Sequence, residues 1–147
     1  MAHKRQEIRD AIAAILSAVP AGAGRVYTGR IRPVVTYPSY SLFLQRDGLA
    51  DLPSFGKYSL REATFEIQAH VLHGSTMPDD IDILAVWAEK GIGADRTLGG
   101  KALHSRFMGI EKTVSGDMEK PAGLASLFFS VLYQEPRPVA VMPQLVS

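Results

Sequence analysis

Glu62-Ala63-Thr64-Phe65-Glu66-Ile67-Gln68-Ala69-His70-Val71 is the stretch on which the fold turns. Apolar Ala63, Phe65, Ile67, Ala69 and Val71 alternate with polar Glu62, Thr64, Glu66, Gln68 and His70. Successive side chains leave a strand on opposite sides, so this period of two predicts a strand, read over 62–73, with one buried and one wet face. A wet face of this length is either solvated or used for contact. The apolar face needs a cover, and two helices elsewhere in the chain have the stripes to supply it.

The first helix is read over 4–19. Ile8, Ile12, Ile15, Leu16 and Val19 form one apolar stripe at helical spacing, and Pro20, Gly22 and Gly24 stop it. The second opens at Ser75-Thr76-Met77-Pro78-Asp79-Asp80, where Thr76 caps, Pro78 suits the first turn, and Asp79, Asp80 and Asp82 complement the positive end of the dipole. Ile81, Leu84, Ala85 and Ala88 make its stripe, which Ile83 and Trp87 broaden. Gly91 and Gly93 are expected to end or interrupt it, and residues 94–104 to add a helical turn or two broken at Gly99-Gly100.

Four further strands are predicted. Residues 25–31 form a short one, confined to an edge or a loop by Pro33 and Pro38. Residues 39–45 form the next, closed by a turn at Arg46-Asp47-Gly48, and 47–59 reads as a long exposed connection. Residues 106–114 and 123–133 form a closing pair joined by a hairpin loop. The second of these, apolar on both sides, is expected inside the sheet. The order is α-β-β-β-α-β-β, an α+β fold with a mostly antiparallel or mixed sheet of about five strands and both helices on one face. Residues 1–134 make the single domain. Residues 135–147, with Pro136, Pro138 and Pro143, make an extended tail that either lies along a neighbouring subunit or frays.

Composition narrows the function. The 147 residues are 46% hydrophobic and 21% charged, with no cysteine. A disulfide scaffold, a cysteine-ligated metal, a thiol nucleophile and a disordered polyampholyte are excluded. No run approaches the ~18 apolar residues of a membrane span, and Glu7, Arg9 and Asp10 interrupt the place where a signal peptide would be apolar. A soluble protein is expected. The net charge of +1 gives no overall drive toward nucleic acid or anionic lipid. It hides an asymmetry: residues 1–61 carry nine Lys and Arg against four Asp and Glu, and residues 62–147 carry seven against eleven. Two readings stand, a pair of solvated faces or self-association of unlike surfaces.

No catalytic constellation emerges. The chain has neither a G-x-S-x-G elbow nor a phosphate-binding loop, and Gly91-Ile92-Gly93 lacks the third glycine of a dinucleotide fingerprint. His70 and His73 would face opposite sides of a strand and could not share a metal. Asp79, Asp80 and Asp82 are explained by the helix dipole. No catalytic, metal or cofactor residue is assigned, and the chain is expected not to be an enzyme. Arg25, Arg30 and Arg32 are the one basic cluster, read as a salt-bridge patch or a solvated edge rather than a DNA contact.

Four segments in order give the chain a family resemblance: the helix Arg5-Gln6-Glu7-Ile8-Arg9-Asp10-Ala11-Ile12; Val26-Tyr27-Thr28-Gly29-Arg30 with Pro38-Ser39-Tyr40-Ser41-Leu42-Phe43-Leu44; Phe65–Val71 leading to Asp79-Asp80-Ile81-Asp82; and Ala122-Gly123-Leu124-Ala125-Ser126-Leu127 running to Tyr133. Over roughly residues 4–134 the chain resembles the tail terminator proteins of long-tailed bacteriophages, the lambda-type minor tail protein U family. The resemblance is one of layout, without a catalytic signature. It implies a structural virion protein: a homohexameric ring that caps the tail tube protein, stops tube polymerisation, and offers the surface for the head–tail connector or neck protein. DNA would pass through the lumen without sequence-specific binding. The implied location is the tube–neck junction of the virion, with assembly in the host cytoplasm and no membrane partner. From the charge cluster and the 47–59 segment, not from any family motif, Arg30, Arg32, Asp47, Asp51, Phe55 and Tyr58 are expected in subunit or tube contacts. The alternatives are another phage ring component (a tube subunit or a neck or head-completion protein) and a small α+β ligand-binding domain or enzyme.

Overall fold

Five strands, β1 (Val26–Thr28), β2 (Ser39–Leu49), β3 (Tyr58–Leu72), β4 (His104–Val114) and β5 (Ala122–Pro136), form one sheet in the order β1-β2-β3-β5-β4 in a computed structural model of the protein. The structure describes residues 4–20, 25–28, 38–49, 58–72, 77–114 and 122–136. The β1–β2 pair is parallel and every other pair antiparallel. Helices α1 (Lys4–Ser17) and α2 (Met77–Ala94) pack against the sheet, so the class is α+β as expected.

The alternation of β3 places Ala63, Phe65, Ile67, Ala69 and Val71 in the core. There they meet Tyr40 and Leu42 of β2 and Ala125, Leu127, Phe129, Val131 and Tyr133 of β5. From above come Ile8, Ile12 and Leu16 of α1, and Ile81, Leu84, Ala85, Ala88 and Ile92 of α2. Each large aliphatic or aromatic side chain buried here contributes about 1.5–3 kcal/mol. The Tyr40 hydroxyl donates to the Leu84 carbonyl at 2.6 Å, tying β2 to α2 where a lone buried hydroxyl would be costly. Burial pushes the Tyr40 phenol well above its usual range.

Several boundaries differ from the sequence reading. Arg46-Asp47-Gly48 is not a turn: β2 runs through it, paired with β3 as far as Leu49 opposite Arg61. A bulge between Leu44 and Arg46 leaves Gln45 without a partner across the ladder. The extra residue reverses the alternation, so Tyr40 and Leu42 face the helices before it and Asp47 faces them after it. The exposed connection expected over 47–59 is therefore strand at both ends; residues 50–57 lie outside those described. β5 runs to Pro136, opposite Tyr58, so the body of the domain extends two residues past the predicted boundary at 134. Residues 137–147 lie outside those described.

Helix α2 passes through Gly91 without interruption and ends at Ala94, one residue after Gly93. A Cβ on Gly91 would stand 2.7 Å from Cγ2 of Ile15 on α1. The helices close on each other at that point, and this packing offsets the roughly 1 kcal/mol that glycine costs in a helix. After Ala94 the chain makes a non-helical turn in place of the expected helical ones. Leu98, Gly99 and Gly100 all have positive φ, and the Gly99 amide donates to Asp95 Oδ1 at 3.1 Å. Leu98 adopts a conformation disfavoured for a side chain of its kind while buried in the core. No described helix is long and apolar enough to cross a membrane.

Candidate assembly surface

Asp47 and Tyr58 are the two expected site residues that the structure describes. Asp47 turns inward. Its side chain is 5% exposed, beneath the bulge that directs it toward the helices. Arg5 of α1 donates to Oδ2 at 2.9 Å, Arg61 of β3 approaches the same oxygen at 3.3 Å, and the Tyr133 hydroxyl lies 2.9–3.0 Å from both oxygens. Arg61 also donates to Glu135 at 3.0 Å. Burial raises the Asp47 pKa, but the hydrogen bonds from Arg5, Tyr133 and Arg61 outweigh it and hold the carboxyl below its usual range. Burial and the bond to Asp47 push the Tyr133 phenol up to about 12. This group joins α1, β2, β3 and β5 within one chain. Tyr58 opens β3 opposite Pro136. Arg30, Arg32, Asp51 and Phe55 lie outside the described residues.

The far face of the sheet is drier than the period of two predicts. Glu66, Ser39, Ser41, Ser126 and Ser130 are buried on it. Both Glu66 oxygens accept side-chain amides, Oε1 from the bulged Gln45 and Oε2 from Gln68 at 2.9 Å. His70 Nε2 lies 3.1 Å from Ser41 Oγ. Short serine side chains sit below their longer neighbours, and the Glu66 carboxylate is satisfied by amides in place of water.

Apolar exposure is concentrated elsewhere. On α2, Ile83, Val86 and Trp87 are 46%, 45% and 48% exposed at i, i+3 and i+4. On the edge strand β4, Phe107, Met108 and Ile110 are exposed, with Leu103 just before them. A bulge between Phe107 and Gly109 keeps Phe107 and Ile110 both toward the helix side. Lys112 pairs with Asp82 of α2, and Phe107 packs on Phe129 with ring centroids 5.4 Å apart. Between α2 and the start of β4 lies an open groove of about 540 Å³, lined by Val86, Phe107 and Phe129 and by Lys90, Arg96 and Arg106, with Glu89 the one carboxylate among the described residues.

Helical spacing puts Ile83 and Trp87 on a broadened core stripe, yet the fold leaves both about half exposed. The available signal was the width of that stripe: apolar residues on more than half of a helix exceed what one sheet face covers. Among the described residues, no group of three or more His, Asp or Glu side chains is placed to hold a metal ion. No protein-family model matches the chain, and no curated protein is significantly similar to it.

Proposed function

We propose that the chain is a ring-forming subunit of the tail-terminator kind, which caps a tail tube as a homohexamer, stops its polymerisation and offers a surface to the head connector. The exposed apolar band on α2 and β4 carries this reading. Its seven large apolar residues are each between 36% and 53% exposed, and apolar side chains left in water on neighbouring elements mark interaction surfaces. Among the described residues the two sheet edges are unlike, eleven residues in β4 and three in β1. Contacts between unlike surfaces are head-to-tail, and with a suitable rotation they close into a ring. The opposite charge of the two halves of the chain supports the same mode of assembly.

Light scattering and negative-stain microscopy of the pure protein, alone and with polymerised tube protein, test the proposal. Single rings in solution, or one ring at each tube end, are expected. A monomer that binds no tube end overturns it, and open-ended tubes of this chain alone identify a tube subunit instead.

A further inference from the structure

We infer that the groove between α2 and β4 receives a second copy of this chain, which enters with the run Asp117-Met118-Glu119 from the connection between its own β4 and β5. The inference rests on the self-assembly proposed above and names the contact that would make it. The groove has an apolar wall in Val86 and Phe107 and exposed cations in Lys90 and Arg96, against, among the described residues, the one carboxylate of Glu89. Neither cation has an ion-pair or hydrogen-bond partner among the described residues. Ser105, also in the lining, is 4% exposed, and its Oγ has no hydrogen-bond partner there. A buried hydroxyl in that state is one that a ligand can satisfy. The complementary chemistry is a short segment with carboxylates on either side of an apolar anchor, and Asp117-Met118-Glu119 has that composition. Methionine is an adaptable filler for an apolar groove.

The topology makes the contact intermolecular. The groove lies at the end of the sheet where His104 pairs with Leu132, whereas Val114 and Gly123 pair at the opposite end, beside the connection. Phe107, the groove residue of β4 nearest that connection, is seven positions from Val114, about 23 Å at strand rise. A chain therefore cannot fill its own groove with this segment, but it can fill a neighbour's. Each copy then gives one segment and receives another, a head-to-tail arrangement that a closed ring satisfies at every subunit.

A charge exchange tests the contact. Lys90→Glu with Arg96→Glu, and separately Asp117→Lys with Glu119→Lys, should each raise the concentration at which the protein self-associates at least tenfold, while circular dichroism and melting stay those of wild type. Combining all four substitutions should restore most of that loss. A synthetic peptide of residues 113–123, titrated calorimetrically into the wild-type protein, should bind saturably, and at least tenfold more weakly to the Lys90→Glu, Arg96→Glu protein. Rings that form unchanged in both double variants overturn this inference and leave the ring proposal standing. Specific peptide binding by a protein that never assembles supports the groove and overturns the ring. Two impaired doubles with no recovery in the fourfold variant also overturn the inference.

Discussion

The Tyr133 hydroxyl on β5 meets the Asp47 carboxylate on β2 at 2.9–3.0 Å, across 86 positions of sequence and over the intervening strand β3. Arg61 of β3 and Arg5 of α1 complete the cluster. It fastens the first helix to three strands through one buried carboxylate, and it accounts for an Asp inside a strand, where that residue type is disfavoured.

Asp47→Ala should cost about 3 kcal/mol, because it leaves Arg61 and Tyr133 facing a partly buried void without their acceptor. Arg5→Ala should cost less than about 1 kcal/mol, since Arg5 is 42% exposed and water screens its share. Urea denaturation followed by circular dichroism distinguishes the two; equal losses would show that the cluster is not organised around Asp47.

The same cluster sets two limits on pH stability. The Asp47 pKa is lower folded than unfolded, so its contribution is present above the ordinary carboxylate range and is lost as pH falls through the folded value. Asp47→Asn should flatten the fall in stability below about pH 4. For Tyr133, with a folded value of about 12 against 10.0, the contribution is present below pH 10 and disappears as pH rises toward 12. Tyr133→Phe should reduce the alkaline loss between those values without abolishing it, because Tyr40 shifts in the same direction. Denaturation midpoints across pH 2–12 measure both effects.

Gly91 should resist enlargement. Alanine gains about 1 kcal/mol of helix propensity at an ordinary site. Here its Cβ would meet the β-branched Ile15 at 2.7 Å, so Gly91→Ala should be destabilising and Gly91→Val more so. Ile15→Ala should cost less in the Gly91→Ala background than in wild type. Additive melting shifts in the double-mutant cycle would contradict the contact.

Trp87→Glu and Met108→Glu should separate folding from assembly. Trp87 is 48% and Met108 53% exposed, so the isolated chain should keep its stability to within about 1 kcal/mol. Ring formation should be lost, because a charge then sits in an interface core. Scattering mass and melting temperature, measured on the same samples, decide the point; intact rings in both variants would remove the apolar band from the interface.

Much of the architecture is legible in the chain itself, for identifiable reasons. Period two from Ala63 to Val71 specifies which face of the central strand is dry, and the stripes Ile8–Ile12–Leu16 and Ile81–Leu84–Ala88 specify what covers it. The prolines around the first strand place it at an edge, since they cannot donate to a neighbour. These are local patterns, and local sterics and burial are enough to read them. Tertiary structure decided the rest. The bulges at Gln45 and Met108 are features of strand pairing, and they turn Asp47 inward and hold Phe107 and Ile110 together toward α2. The passage of α2 through Gly91 depends on α1 being there to touch. Whether Trp87 is core or surface depends on how much of α2 the sheet can cover, which the helix alone does not state. Residues far apart in the chain set each of these outcomes, so no window of sequence contains them.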